Sequence, residues 1–155
     1  MKETLLEKLI GTWSLVELIE VPVDGGEINY PMGEKPKGLI IYNHDGYMSA
    51  QIMNPERNNF NQEHWTGATQ EECKQEVPTY LAYSGAFSTD DGKQTLYHSM
   101  YVSLFPNWTG QTQSRKVHFK DELLHLESGE PFLKNGKMVT HKLTWVRVKQ
   151  SGNAA

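Results

Sequence analysis

The chain has 155 residues and a formal net charge of -4 at pH 7, with basic and acidic side chains scattered along its length. This length suits one domain with a single core, and the absence of a basic stripe argues against a nucleic-acid partner. Cys73 is the only cysteine, which excludes an internal disulfide and a cysteine-based zinc cluster.

Residues 1–8 are too charged for a secretory signal, and no segment approaches the roughly 20 apolar residues of a membrane helix. We therefore expect a cytoplasmic protein with no membrane partner. The sequence has no glycine loop that would cradle a phosphate, and its six histidines are spread singly. We also expect no cofactor and no bound metal.

The chain begins with a predicted short helix. Thr4 and Glu7 have the spacing of a capping box, and the helix should end at Gly11. So short a helix is unstable alone, so we expect it to lie against the end of something larger. A strand is predicted next, over 12–20, and alternation places four of its side chains on one face: Trp13, Leu15, Glu17 and Ile19.

Strand patterns dominate the rest of the chain. Residues 38–42 and 47–53 form a predicted hairpin around a turn at 43–46. Further strands are predicted over 81–89, 95–105, 111–119, 122–127 and 139–148. Short turns join only antiparallel neighbours, and closure removes exposed sheet edges. We predict an all-β fold, an antiparallel up-and-down β-barrel of about eight to nine strands. It forms one domain over 1–150, and the tail 151–155 is expected to be disordered.

One helical insertion interrupts the strands, over 54–80. Thr69 and Glu72 form a second capping box, and the helix they open should reach about Glu76, where Pro78 disturbs it. An insertion of this length between barrel strands usually lies over an open end. It would act there either as a mobile lid or as a passive cap.

Gly11-Thr12-Trp13 is similar to the Gly-x-Trp signature of lipocalins, and Arg147 lies where the lipocalin arginine that covers this tryptophan would be. The whole chain resembles the bacterial and fungal lipocalin-like domain family from about residue 9 to 148. Other matching stretches are 36–42, 45–49, 83–85, His98 through 103–108, Arg115 and 143–147. The resemblance implies a calycin-type barrel with an internal cavity. Some members lie beside natural-product pathways, so an isomerase or cyclase role stays open.

Alternate residues of each strand face the lumen of a small barrel. With Trp13 inward, the predicted inner face carries apolar walls and a few polar groups: Glu17, His98, Gln113, Arg115 and His141. On the strand after residue 95 we place His98, Met100, Val102 and Leu104 inward. The expected ligand-binding residues are Tyr83, His98, Met100, Trp108, Arg115, His141 and Trp145.

His98 and Arg115 are the candidates for chemistry. A buried guanidinium is costly unless paired, so Arg115 requires Glu17 or an anionic or carbonyl ligand, unless it faces solvent. His98 has an ordinary pKa near neutrality and suits either acid–base work or a hydrogen-bonded core position. Arg147 is expected to cover Trp13 in a cation–π contact that closes the barrel floor.

The predicted function is binding of a small, largely apolar ligand with a polar or anionic head in the barrel cavity. The alternative is an isomerase or cyclase in the same cavity, where His98 moves a proton and Arg115 stabilises developing negative charge. A third reading is a barrel filled by its own side chains that serves as a homodimerisation module.

Overall fold

The computed structural model describes residues 2–149; the predicted disordered tail, 151–155, lies outside the described residues. Two helices, α1 (Leu5–Leu9) and α2 (Gln70–Thr79), accompany nine strands. The strands are β1 (Gly11–Pro22), β2 (Lys37–Tyr42), β3 (Tyr47–Met53), β4 (Tyr80–Asp90), β5 (Thr95–Ser103), β6 (Thr112–Lys120), β7 (Leu123–Ser128), β8 (Phe132–Lys134) and β9 (Lys137–Arg147). A 3₁₀ turn, Pro106–Trp108, follows β5.

The strands form a closed antiparallel barrel. Each of β1 to β7 pairs with its neighbour in sequence, β7 pairs with β9, and β9 closes the ring against β1. The short strand β8 pairs only with β9 and extends the wall as a hairpin. This confirms the predicted all-β barrel, with eight strands in the ring and one beyond it. None of the helices in residues 2–149 has the length and apolar character to cross a membrane.

One end of the barrel, here called the α1 end, is closed by the first helix. The ring nitrogen of Trp13 donates to the Leu9 carbonyl at 2.9 Å, and the Arg147 guanidinium lies 4.2 Å from the centre of the Trp13 ring. Arg147 also donates to the carbonyls of Ile10 and Lys8 at 2.7 and 2.6 Å, which satisfies the carboxyl end of the helix. The predicted cation–π closure of the floor is confirmed.

Gly11 is needed at this corner for two reasons. Its φ is +130°, a conformation that L side chains rarely adopt, and a Cβ there would lie 2.5 Å from Nη1 of Arg147. Glycine therefore lets the chain turn from helix to strand directly beneath the guanidinium.

A β-bulge in β1 changes which residues face the lumen. The extra residue is Val16, because Leu15 pairs with Trp145 while Glu17 pairs with Thr144. Beyond the bulge, the buried positions are Leu18 and Glu20. The prediction that Glu17 and Ile19 face inward is therefore wrong, since a one-residue insertion reverses a two-residue period.

A second irregularity affects β5. Gly85 pairs with Met100 and Ser84 with Val102, which leaves Tyr101 as the extra residue. Val102 is 52% exposed, so its predicted inward position is wrong, while His98 and Met100 are buried as expected. A Cβ on Gly85 would lie 1.8 Å from the Ser99 carbonyl oxygen, so only glycine permits the close approach of the two strands.

The predicted end of α2 differs from the observed one. The helix continues to Thr79 although Pro78 lies inside it. The Thr79 hydroxyl donates to the Gln75 carbonyl at 2.7 Å and so satisfies one acceptor at this end. The helix ends one residue after Pro78, so the proline disturbs only its last turn.

Candidate functional site

An aromatic and imidazole cluster occupies the barrel interior. The inward positions of β2, β4 and β5 bring together Tyr42, Tyr83, Phe87 and His98. The Tyr42 hydroxyl and His98 Nε2 form a hydrogen bond of 2.8 Å. The Tyr83 ring centre lies 5.7 Å from that of His98, and Phe87 meets the Tyr42 ring edge-on at 4.9 Å. This cluster lies in the buried core of the barrel.

Burial keeps both members of the Tyr42–His98 pair neutral. Desolvation, assisted by the Arg115 charge, holds the pKa of His98 well below its ordinary value. Desolvation and the nearby Tyr83 hold the pKa of Tyr42 well above its ordinary value, and Arg115 offsets part of this. A neutral imidazole donates from one nitrogen and accepts at the other, so the site can serve a polar group of either kind.

Two ring nitrogens in this interior lack a partner. Within residues 2–149, neither His98 Nδ1 nor Trp145 Nε1 has a hydrogen bond, although both side chains are almost completely buried. Trp145 lies on β9, on a different part of the wall from His98. A buried polar group without a partner costs roughly 1–3 kcal/mol, so each of these two nitrogens would gain from a hydrogen-bond partner.

Arg115 lies at the edge of the cluster. Its side chain is half-buried and donates to the Gln113 side-chain oxygen and to the Ser114 carbonyl, both at 2.9 Å. Glu17, one of the alternative partners expected for Arg115, lies on the outer face beyond the β1 bulge, so that alternative is wrong. Arg115 still acts on the lumen, because its charge reaches His98 and Tyr42.

Trp108 lies at the end of the barrel opposite α1. The 3₁₀ turn presents its indole edge-on to Tyr83 at 5.9 Å, and Phe105 packs against it at 5.6 Å. The side chain is half-buried and contacts the core cluster. Trp108 therefore packs on the core from the end of the barrel opposite α1, and its expected role in ligand binding stays a prediction.

His141 is inward, as predicted, but another partner occupies it. Its Nε2 lies 3.0 Å from the carboxylate of Glu20, which also accepts from Lys134 Nζ at 2.8 Å. Burial alone raises the pKa of Glu20, but these hydrogen bonds outweigh it, and the pKa lies below the ordinary value. Burial lowers the pKa of His141, and Glu20 offsets only part of this. His141 is thus committed to a hydrogen bond with Glu20, whose carboxylate is ion-paired to Lys134.

The insertion before β4, residues 54–80, is held together by contacts among its own residues. Arg57 forms an ion pair with Glu76 of α2 and donates to the Thr79 hydroxyl at 3.2 Å. Every side chain of α2 is exposed or half-buried, so the helix adds little to the barrel core. Whether the segment moves as a lid stays a prediction.

The sequence pattern that defines the lipocalin-like domain matches residues 10–148. The chain belongs to the lipocalin-like domain family. A relative from Aspergillus oryzae, the 4'-hydroxy-3'-methoxypropiophenone carrier protein, is 36% identical over 63% of this chain and 94% of its own length. The resemblance to the family is thereby confirmed, and the family match, over residues 10–148, covers almost the entire barrel.

Two members of this lipocalin-like interior were missed by reasoning from sequence. Tyr42 is 1% exposed and holds His98, but it appeared only as one more residue of a regular strand. Tyr42 alternates with Ile40 on the buried face of β2, and this two-residue period was the sequence signal that could have placed it inward. Glu20 is 3% exposed, and no sequence signal identifies it, because the bulge at Val16 decides its direction.

Proposed function

We propose that this lipocalin-like protein binds and carries a small, largely apolar aromatic molecule whose polar groups are held inside the barrel. The observation that carries the proposal is the pair of buried, unpartnered ring nitrogens, on His98 and Trp145, in a largely apolar interior. Apolar walls with a few polar atoms that fix orientation are typical of small-molecule sites.

The ligand named for the Aspergillus oryzae relative has suitable chemistry. A hydroxy-methoxy-propiophenone has an aromatic ring, a phenol hydroxyl and a ketone oxygen. Trp145 Nε1 only donates, so it suits the ketone or another acceptor. His98 Nδ1 accepts or donates according to its tautomer, so it suits the phenol. The nearby Arg115 charge would favour a phenolate or another anionic head.

The tautomer of His98 couples the ligand to Tyr42. When the Tyr42 hydroxyl donates to Nε2, the proton of the neutral ring is on Nδ1, which then donates to the ligand. When the hydroxyl accepts from Nε2, Nδ1 accepts. One buried pair can therefore adapt to either polar group without taking up a charge.

The test is a titration of the protein with 4'-hydroxy-3'-methoxypropiophenone by isothermal calorimetry. Trp145→Phe keeps an aromatic ring and removes the N–H, so it should weaken binding about threefold to tenfold, as expected for one net hydrogen bond. Trp65→Phe is the matched control, since Trp65 is 81% exposed. Absence of binding by the wild-type protein, or equal losses in both variants, would refute the proposal.

The isomerase or cyclase alternative has no observation of its own in the geometry. The homodimer and the cytoplasmic location stay predictions from the sequence. The carrier proposal concerns binding alone. Analysis of the ligand after prolonged incubation with the protein should therefore recover it chemically unchanged.

A further inference from the structure

A groove of about 530 Å³ opens on the outer wall of the barrel, across β1 to β4. It is separate from the lumen cluster, because its outer lining consists of outward residues such as Leu39, Ile41 and Gln51. Its volume lies in the range of sites that hold small organic molecules.

The groove exists because two strands separate. β1 and β2 pair only from Gly11–Tyr42 to Ser14–Leu39. Immediately afterwards, β1 bulges at Val16 and continues along β9, while β2 continues along β3. A bulge bends its strand and can end pairing, so the wall parts at this point.

The floor of the groove reaches the core. Leu15 and Ile52 are 6% and 4% exposed and form its deep lining together with Gly38. A Cβ on Gly38 would lie 3.2 Å from the Leu15 Cβ and 3.3 Å from the Ile52 Cγ1. The absence of a side chain at Gly38 therefore lets Leu15 and Ile52 pack directly against the β2 backbone and form an apolar floor.

The charge on the groove lining is positive. Among the described residues that form the groove, Lys37 is the one charged side chain, in a protein whose net charge is -4. Tyr80 and Gln51, which are hydrogen-bonded to each other, add polar atoms to the same wall. The Arg57 guanidinium lies 5.0 Å from the centre of the Tyr80 ring, with its own charge paired to Glu76.

We propose that this groove is a second binding site, for a small aromatic or aliphatic molecule with an anionic head. The apolar body lies on Leu39, Ile41 and the floor formed by Leu15 and Ile52, and the head lies at the Lys37 ammonium. The site is independent of the lumen, so its failure would leave the proposed carrier function untouched.

Two dyes with the same aromatic frame test this assignment. 1-Anilinonaphthalene-8-sulfonate carries an anionic head, and N-phenyl-1-naphthylamine lacks it; both fluoresce in apolar sites. Lys37→Gln should weaken the anionic dye about twofold to fivefold, the range of an exposed ion pair, and leave the neutral dye unchanged. Lys116→Gln, on the outer face of β6, is the matched control and should change neither.

A second variant tests the apolar part. Leu39 is 47% exposed, so Leu39→Asp should fold normally, and it should weaken both dyes about tenfold or more by removing apolar contact and adding a negative charge. Thermal unfolding verifies that each variant keeps the wild-type fold. The proposal is overturned if the wild-type protein binds neither dye or if Lys37→Gln leaves the anionic dye unaffected. Equal weakening of both dyes by Lys37→Gln, or of the anionic dye by Lys116→Gln, overturns it as well.

Discussion

Acid should destabilise this protein well above the range in which carboxylates titrate, because His98 is completely buried in its neutral form. Its pKa lies well below the ordinary value of 6.5, with desolvation as the main cause and the Arg115 charge as the second. Below pH 6.5 the unfolded chain therefore binds a proton at this position that the folded chain does not. Stability is then fully present above pH 6.5 and falls as the pH falls toward the folded pKa.

The size of this loss in stability follows from the single proton that His98 binds on unfolding. Each pH unit below 6.5 should cost about 1.4 kcal/mol of unfolding free energy at His98, until the folded pKa is reached. His141 contributes in the same direction but less, since its side chain is 31% exposed and bonded to Glu20. The pKa of Glu20 lies below 4.5, so its stabilising contribution is lost only at more acidic pH.

The assay is urea unfolding at about pH 7 and about pH 5, which brackets this window. His98→Gln retains a polar side chain without a titratable ring, so its loss between the two pH values should be clearly smaller than that of the wild type. His44→Gln, at an exposed position in the turn 43–46, should retain the full loss. Equal stability of the wild type at both pH values, or an undiminished loss in His98→Gln, would refute the reasoning.

Two other predictions concern the barrel ends. Gly11→Ala should lower the unfolding free energy by about 1 kcal/mol or more beyond Gly46→Ala in urea titrations. Both glycines have positive φ, but only at Gly11 would the new Cβ meet the arginine that covers the floor tryptophan; equal losses contradict this. At the other end, Lys134→Met should raise the pKa of His141 in an NMR titration, and Glu20→Gln should lower it, because the first removes a repelling charge and the second an attracting one. Shifts in the same direction would show that the network is not held together as described.

Reasoning from sequence succeeded wherever a few neighbouring residues determine the structure. Both capping boxes, at Thr4 and Thr69, form as their spacing predicts. The hairpin of β2 and β3 lies within one residue of its predicted bounds, because its turn chemistry is local. Gly11 and Trp13 also identified the corner where helix and strand meet, since glycine there permits a backbone that other residues resist.

Prediction of the site was less complete, since it needed the direction of each side chain. Met100 and His98 were placed in the lumen correctly, because β5 alternates regularly up to that point. Val102 and Glu17 were placed inward wrongly, because each follows a bulge that alternation does not reveal. The bond between Tyr42 and His98 joins residues 56 positions apart, and strand patterns say nothing about such a pair.

The sequence by itself determined the barrel: its strands, their antiparallel order and the closed α1 end. These follow from short-range alternation, turn residues and the steric freedom of glycine. Only the tertiary structure decided which side chains face the interior and where the outer groove opens. The bulge at Val16 turns Glu20 inward to His141 and Lys134, and at the same place it parts β1 from β2 to form the outer groove. One inserted residue reverses every later side chain of a strand, and its effect appears only when the partner strand fixes the register.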